Sequence, residues 1–336
     1  MWSGSPKNSP RPDPSKMQFG YVLAGEEHDA ATLVKNGVSA ERVGFDFLFV
    51  SDHFHPWSHQ QGHSPAVWPV LGALAHATSK VRLVSAVCCP VVRWHPTTLA
   101  QSACTVAQMS GGRFMLGLGT GELLNEHVTG APFPPYPERA ARLAEAVEQI
   151  RELASGREVT REGRFFTTHR AQIFEAFPEL PIAIAASGPK SAQLAGRLGD
   201  GLIGLADDPA VVESFVNSGG ARKPRLTQLS VCWGHDRGKA EQLAHRLWPI
   251  VALEGNSFAE LRTPAEVEKA CQSVRVDEVA AAIACGPDPQ AYRQVIDSCL
   301  QAGYDGVAFH QIGPDQNGFL EFWSRELRPY YPNPKL

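Results

Sequence analysis

The stretch FVSDHFHPW, residues 49–57, places histidine, aspartate and tryptophan side chains directly after a run of apolar residues. An imidazole titrates near neutral pH, so His53 is a candidate acid/base catalyst. His53 and His55 also have the HxH spacing with which two imidazoles can bind one metal ion. A third interpretation gives these residues no chemical role beyond that of a polar loop.

Eight apolar runs of strand length alternate with segments of helical spacing along the chain. Continuous apolar runs, each followed by a helix, are typical of parallel strands that are covered on both faces. Eight such units favour a (β/α)8 TIM barrel over an open doubly wound sheet. The predicted strands are 19–24, 46–51, 81–87, 113–119, 181–187, 201–206, 226–233 and 306–311. The predicted helices include 97–109, 138–154, 189–198, 237–254 and 289–302.

Two longer gaps, at about 156–180 and 255–285, are predicted to be insertions in the barrel. The segment REVTREGRFFTTH, residues 157–169, has the pattern of a β-hairpin. Thr263 followed by Pro264 predicts the start of a helix, because threonine caps helices and proline is tolerated in the first turn. We therefore expect one barrel domain over residues 17–336 and a disordered, proline-rich tail over residues 1–16.

Polar side chains follow several of the predicted strands at their carboxyl ends. In TIM barrels the functional residues lie at this edge, so residues that are distant in sequence meet there. The residues at these ends are Glu26, Asp52, His53, Trp57, Glu122, Asn125 and His310. We therefore expect one pocket with an imidazole and several carboxylates. A metal site is not expected, because the HxH pair follows the second strand rather than the first and His310 is the one obvious further ligand.

The composition is that of an ordinary globular protein, with 43% hydrophobic and 20% charged residues among 336. The net charge of −4 argues against a nucleic-acid partner. No apolar run approaches the roughly 20 residues that span a bilayer, and residues 1–16 lack the apolar core of a signal peptide. The seven cysteines form no CxxC pair, which predicts reduced, buried thiols. These features predict a cytoplasmic protein without a membrane partner.

Four longer stretches resemble the coenzyme F420-dependent glucose-6-phosphate dehydrogenase group of the luciferase-like oxidoreductase superfamily. They are SDHFHPW with the following GHSP, GLGTGELLNE, AASGPKSAQLAGRLGDG, and HQIGPDQNGFLEFWSRELRP. The resemblance covers residues 17–334, and the first two motifs together are a specific combination. It implies a TIM barrel, the deazaflavin coenzyme F420 as cofactor, and hydride transfer from an alcohol to C5 of the deazaflavin.

The resemblance also implies a role for the polar residues at the strand ends. His53 matches the histidine that takes the hydroxyl proton, and Glu122 matches the glutamate that donates a proton to the ring system. Trp57 and Glu26 match residues that steady the charged intermediate. Asp52 matches a cofactor contact, and capping of the following turn is its alternative role.

Further cofactor contacts are implied at Ala86, Val87, Cys89, Asn125, Ser187 and Gly188. Ala86 and Val87 match a bulge that contains a non-prolyl cis peptide bond and presses on the back of the deazaflavin ring. Ser187 and Gly188 lie in a loop before a predicted helix, where small residues and free backbone N–H groups suit a phosphate.

The predicted substrate-pocket residues are Arg225, Phe258, Ala282 and His310. The first three match positions where the glucose-6-phosphate dehydrogenases hold the sugar phosphate with two lysines and an arginine. One cation instead of three predicts an alcohol other than glucose 6-phosphate, because phosphate recognition depends on several charge-assisted hydrogen bonds. Lys223, Arg225 or Arg262 could still rebuild a phosphate site, which would make the protein a genuine sugar-phosphate dehydrogenase.

Two other classes stay open, an FMN-dependent luciferase-like monooxygenase and a non-catalytic deazaflavin carrier. His53 and Glu122 argue against the carrier, because it would not need them. The resemblance further implies a homodimer, for which the apolar stretch PAVWPVLGALAHA, residues 65–77, would suit a self-complementary interface. The reductases that recycle coenzyme F420 would be indirect partners.

Overall fold

The computed structural model describes residues 17–205, 207–253 and 257–331, so the tail predicted at 1–16 lies outside the described residues. The strands in the described part are β1 (Gln18–Leu23), β2 (Phe47–Val50), β3 (Arg82–Ser85), β4 (Phe114–Leu118), β5 (Val159–Glu162), β6 (Thr167–Ala171), β7 (Ile182–Ala186), β8 (Gly201–Leu205), β9 (Arg225–Cys232), β10 (Ala284–Cys285) and β11 (Gly306–Gln311). The α-helices there are α1 (Ala30–Arg42), α2 (Val67–Ala77), α3 (Pro96–Met109), α4 (Leu123–Glu126), α5 (Tyr136–Ala154), α6 (Pro189–Leu198), α7 (Pro209–Phe215), α8 (Arg237–Leu247), α9 (Pro264–Ala270), α10 (Val276–Ala282), α11 (Pro289–Ala302) and α12 (Gln316–Phe322).

Eight of the strands close into a parallel barrel, which confirms the predicted TIM barrel. In ring order they are β1, β2, β3, β4, β7, β8, β9 and β11, and β11 pairs back with β1. The short strand β10 pairs with β9 outside this ring. Strands β5 and β6 form the predicted antiparallel hairpin in the insertion between β4 and β7.

The apolar runs located all eight barrel strands to within two residues at each end. The start of α9 is also as predicted, since the Thr263 side chain accepts a hydrogen bond from the Glu266 N–H at 3.2 Å. The predicted helix 237–254 is too long, because α8 ends at Leu247. Trp248 has φ −134° and ψ 47° and precedes Pro249, whose ring disfavours a helical conformation in the residue before it.

Side chains pack in three apolar groups. The largest lies between the barrel and its surrounding helices and includes Phe19, Leu71 and Ile150. A second fills the barrel interior around Phe47 and Phe49. The third joins Trp57 and Leu124 at the barrel rim to apolar residues of α8, α9 and α10, so the second insertion packs beside the predicted pocket.

Within the described residues, every helix is either too short or too polar to cross a bilayer. Over the same residues, no group of three or more histidine, cysteine, aspartate or glutamate side chains is arranged to hold a metal ion.

Candidate active site

His53, Glu26 and Glu122 meet at the carboxyl rim of the barrel. Glu26 follows β1, His53 follows β2, and Glu122 lies between β4 and α4. The His53 Nε2 atom is 3.4 Å from Glu26 Oε1 and 3.8 Å from Glu122 Oε2. The rim therefore brings an imidazole to two carboxyl groups, as the positions after the strands predicted.

The other ring nitrogen of His53, Nδ1, has two neighbours, an amide that would donate a hydrogen bond to it and a carbonyl that would accept one from it. Asn125 Nδ2 lies 3.2 Å from Nδ1, and the His55 carbonyl oxygen lies at the same distance. The Asn125 amide orientation follows from its Oδ1, which accepts a hydrogen bond from the Phe54 N–H at 2.8 Å. Proton transfer to Nε2 requires the tautomer in which Nδ1–H donates to the His55 carbonyl. That bond leaves Nε2 free to act as a base.

Trp57 forms a wall of the same site. Its ring centroid is 5.1 Å from that of His53 and 5.7 Å from that of Phe258, with the Phe258 ring edge-on. The Trp57 backbone N–H donates to Gln61 Oε1 at 2.8 Å, which fixes the turn after β2. Trp57 is 7% exposed, so its ring packs closely against His53 and Phe258.

The two carboxyl groups have different surroundings. The Ser51 hydroxyl donates to Glu26 Oε2 at 2.8 Å and accepts the Gly25 N–H at 2.8 Å, which anchors Glu26 in the rim. Burial raises the pKa of the Glu122 carboxyl, against the opposing effect of His53, and the charge on Glu26 adds to the rise. Glu122 therefore keeps its proton to a higher pH than an ordinary glutamate, as a proton donor must.

The side chain of Asp52 is directed at two residues that sequence reasoning missed. Its Oδ2 accepts a hydrogen bond from Trp94 Nε1 at 2.7 Å and forms an ion pair with Arg93 Nη2 at 2.8 Å. With 1% of the side chain exposed, Asp52 anchors the segment after β3. The cofactor contact that the resemblance implied for Asp52 stays a prediction.

Glu126, at the end of α4, is a third residue that sequence reasoning missed. Its Oε2 accepts the backbone N–H groups of Val92 and Arg93 at 3.0 and 2.7 Å. Its Oε1 is buried and has no hydrogen-bond partner. Burial raises the pKa of Glu126 to about 7. Glu126 is the last residue of the motif GLGTGELLNE, but nothing in that pattern indicates that its carboxyl group is buried.

A small apolar platform follows β3. The Ala86–Val87 peptide bond is cis, as the resemblance implied. A Cβ atom on Gly119, after β4, would lie 2.7 Å from Val87 Cγ2 and 3.2 Å from Cys89 Sγ. Only glycine fits there, because backbone and platform approach so closely. Ala86, Val87 and Cys89 are therefore packed into one surface, in which Ala86 and Val87 stay partly exposed.

Ser187 and Gly188 follow β7 and lead into α6. Gly188 is the N-cap of α6 and provides no side-chain hydrogen bond to its first turn. A Cβ atom on Gly188 would meet nothing within 4 Å. The helix start therefore faces open space, where its backbone N–H groups could meet an anion.

Arg225 does not lie in the substrate pocket, and that prediction is wrong. It begins β9 at the amino end of the barrel, about 23 Å along an eight-residue strand from the carboxyl rim. Its Nε and Nη2 atoms bind Asp305 at 2.8 and 2.6 Å. Lys223 lies at the same end and donates to the Gly196 carbonyl at 2.7 Å, so neither cation can rebuild a phosphate site at the rim.

The remaining substrate-pocket predictions fall in three different places. Phe258 contacts Trp57 and so belongs to the rim. His310 is 1% exposed, and its Nε2 is 2.9 Å from Glu27 Oε1 while its Nδ1 is 3.2 Å from Ser230 Oγ. Ala282 is the exposed last residue of α10. Substrate contacts of His310 and Ala282 stay predictions.

Fold and site together define a (β/α)8-barrel protein with a histidine between two glutamates at its carboxyl rim. The chain belongs to the luciferase-like monooxygenase family, whose model matches residues 17–306.

Two of its relatives are named for coenzyme F420. The F420-dependent glucose-6-phosphate dehydrogenase of Nakamurella multipartita is 36% identical, with 94% of this chain and 97% of the relative covered. The F420-dependent hydroxymycolic acid dehydrogenase of Mycobacterium tuberculosis is also 36% identical, with 96% and 90% covered.

A solved structure of an F420-dependent secondary alcohol dehydrogenase in complex with an F420–acetone adduct has a TM-score of 0.86 and 28% identity. It matches 94% of this chain and 99% of its own. A structure of an F420-dependent tetrahydromethanopterin reductase from Methanopyrus kandleri, 22% identical with a TM-score of 0.76, shares the fold.

Proposed function

We propose that this protein is an oxidoreductase that uses coenzyme F420 to remove a hydride from the hydroxyl-bearing carbon of an alcohol. The observation that carries the proposal is the His53 imidazole with Nε2 facing Glu26 and Glu122 at the barrel rim. The relatives named above, which are F420-dependent dehydrogenases of three different alcohols, support it.

The residues at the rim fit a flat deazaflavin with a phosphate-bearing side chain. Ala86 and Val87 offer a small, partly exposed apolar platform on which a ring can lie. The open start of α6 after Ser187 and Gly188 suits an anion. Asn125 lies beside the base: its Oδ1 accepts the Phe54 N–H, and its Nδ2 is 3.2 Å from His53 Nδ1. When bound, the cofactor supplies the hydride acceptor, C5 of its ring.

The chain itself handles the protons. Hydride loss from an alcohol carbon requires loss of the hydroxyl proton, which His53 Nε2 is placed to take. Glu26 faces the same nitrogen at 3.4 Å and stabilises the positive imidazole that results. Glu122, whose pKa is raised by burial, holds a proton where negative charge develops in the transition state.

The substrate is proposed to be a neutral alcohol rather than a sugar phosphate. Lys223 and Arg225 lie at the opposite end of the barrel, and Arg93 is paired with Asp52. Phe258 beside Trp57 gives the pocket an aromatic wall. A phosphate dianion there would lose hydration without gaining several charge-assisted hydrogen bonds. Arg262, exposed before α9, is the remaining candidate for a phosphate contact.

Single-residue variants test the proposal. Protein loaded with coenzyme F420 should lose visible absorbance with some neutral alcohols of a panel that also includes glucose 6-phosphate. The variant His53→Ala should bind the cofactor within about tenfold of wild type but lose roughly 10²–10⁴ in turnover. His55→Ala is the matched control, because its side chain contacts the Leu124 carbonyl at 3.2 Å and the rings of Phe54 and His127 rather than Glu26 or Glu122.

Near-normal turnover by His53→Ala would contradict the proposed base. The family description favours one alternative, an FMN-dependent monooxygenase. Oxygen consumption with reduced FMN, together with no bleaching of coenzyme F420, would establish that alternative instead.

We also propose a homodimer that forms through α2. The exposed residues of this helix are Pro69, Ala73, His76 and Ala77, and Ala66 precedes it, so its outer face is mostly small and apolar, with one histidine. Met109, 51% exposed, lies beside Gly72 on the same surface. Such a face suits a self-complementary interface. Light scattering at micromolar concentration should give twice the chain mass, and a single-chain mass would refute the dimer.

Two further parts of the proposal concern the cellular setting. All seven cysteines are free thiols, which agrees with a reducing compartment such as the cytoplasm. Reductases that use reduced coenzyme F420 would return the cofactor for the next turnover.

A further inference from the structure

Cys232 and Cys285 lie side by side at the carboxyl ends of β9 and β10. They are direct partners in the parallel pairing of these two strands. Neighbouring strands lie about 4.8 Å apart, within the roughly 4.4–6.8 Å Cα separation that a disulfide spans. Directly paired residues of parallel strands carry their side chains on the same face of the sheet, and the Cys232 thiol donates a hydrogen bond to the Ile312 carbonyl at 3.7 Å. The two cysteine side chains therefore lie next to each other.

The two thiols differ in accessibility. Cys285 is 7% exposed and lines a surface cavity of about 420 Å³, whereas Cys232 is fully buried. Arg237 lines the same cavity and places a positive charge near Cys285. The neighbouring Cys232 thiol and the positive charge of Arg237 lower the pKa of the Cys285 thiol, whereas the neighbouring Cys285 and burial raise the pKa of the Cys232 thiol. A small oxidant thus reaches Cys285 first.

The backbone around this pair leaves room for the bond to form. Strand β10 consists of two residues and pairs with β9 at the outside of the barrel. A short edge strand can shift by the few tenths of an ångström that disulfide geometry requires, because it has few hydrogen bonds to break. The segment between the two cysteines carries α8, α9, α10 and Phe258, so the bond would join that segment to β9.

We propose that Cys285 and Cys232 form a peroxide-sensitive pair, in which Cys285 is the attacking thiol and Cys232 the resolving thiol. The Cys285 thiolate attacks one oxygen of hydrogen peroxide and the O–O bond breaks, so that hydroxide leaves and takes up the proton that the thiol had released, which yields a sulfenic acid and one water. Cys232 Sγ then attacks that sulfur, the S–O bond breaks, and hydroxide leaves as water with the Cys232 proton. The two thiols lose two electrons and two protons, and one peroxide becomes two waters.

Mass spectrometry of the full-length protein tests this pair directly. Wild type is treated with hydrogen peroxide, blocked with iodoacetamide under denaturing conditions, and digested with trypsin. Peptides 226–237 and 276–293 each contain one cysteine, so they should appear joined, with a mass two hydrogen atoms below their sum. Reduction with dithiothreitol should separate them again.

Three variants assign the roles. Cys232→Ser should stop at the sulfenic acid of Cys285, which dimedone traps, and Cys285→Ser should leave Cys232 reduced. Cys271→Ser is the matched control, since Cys271 is buried in the same apolar group and should not alter the crosslink. Full alkylation of both peptides in peroxide-treated wild type, or a crosslink between other cysteines, would overturn the proposal.

Discussion

Replacing Glu126 by glutamine should remove a decrease in the free energy of unfolding that ionisation of Glu126 causes as pH rises. Glu126 is 1% exposed and faces the charged groups Arg93 and Asp52 and the neutral thiol of Cys89. Burial raises its pKa from the ordinary 4.5 to about 7, although two backbone N–H groups and Arg93 oppose the rise. The folded state therefore binds a proton that the unfolded state has already released between these two pH values.

The sign and size of the effect follow from this difference in proton binding. Because the folded state binds more protons, the free energy of unfolding falls as pH rises from 4.5 to about 7 and is lowest above that range. Each pH unit is worth about 1.4 kcal/mol, so the full loss is about 3 kcal/mol. Glutamine stays neutral at every pH, and its amide oxygen can still accept the Val92 and Arg93 N–H groups.

Urea unfolding of both proteins at about pH 5 and about pH 8 measures the effect. The stability of Glu126→Gln relative to wild type should increase by about 2 kcal/mol between these conditions. His28 and His95, whose pKa values are lowered by burial, are present in both proteins and cancel in the comparison. The exposed Glu179→Gln serves as the control. If the two proteins differ in free energy of unfolding by the same amount at both pH values, burial does not raise the pKa of Glu126. If wild type becomes the more stable of the two at high pH, the charge of Arg93 outweighs burial in setting that pKa.

Two further predictions concern the substrate-pocket assignments. Arg225→Met should lower the free energy of unfolding by roughly 2–4 kcal/mol, because it removes the ion-pair partner of Asp305. KM for every alcohol should stay unchanged. A selective rise in KM for a sugar phosphate would contradict the position of Arg225 at the amino end of the barrel. Phe258→Lys should raise kcat/KM for glucose 6-phosphate relative to a neutral alcohol, whereas Phe174→Lys, at a side chain that is 87% exposed, should not. Equal specificity in both lysine variants would remove Phe258 from the pocket.

The barrel could be predicted from the sequence because its strands are buried on both faces. Such strands read as continuous apolar runs, and each run located a strand to within two residues. The rim position of Glu26, His53 and Glu122 followed from the rule that functional residues lie at carboxyl ends of barrel strands. The insertion hairpin and the start of α9 followed from local signals, since turn residues and helix caps act within a few positions.

Local signals could not place residues whose environment depends on distant segments. Arg225 was misassigned because the resemblance matched it to a substrate-pocket position, although the predicted strand 226–233 begins directly after it. It lies at the amino end of β9, where it pairs with Asp305 from a distant segment. Helix α8 was predicted too long because its apolar pattern continued past Pro249, although the proline ends it.

The sequence by itself determined the fold and the residue types at the rim, because hydrophobic periodicity and strand ends are encoded locally. Only the tertiary structure decided which of those residues touch. The Asp52–Arg93 ion pair, the buried Glu126 carboxyl and the Cys232–Cys285 contact all join segments brought together by barrel closure. Burial and neighbouring charge, which set pKa values and reactivity, exist only after that closure.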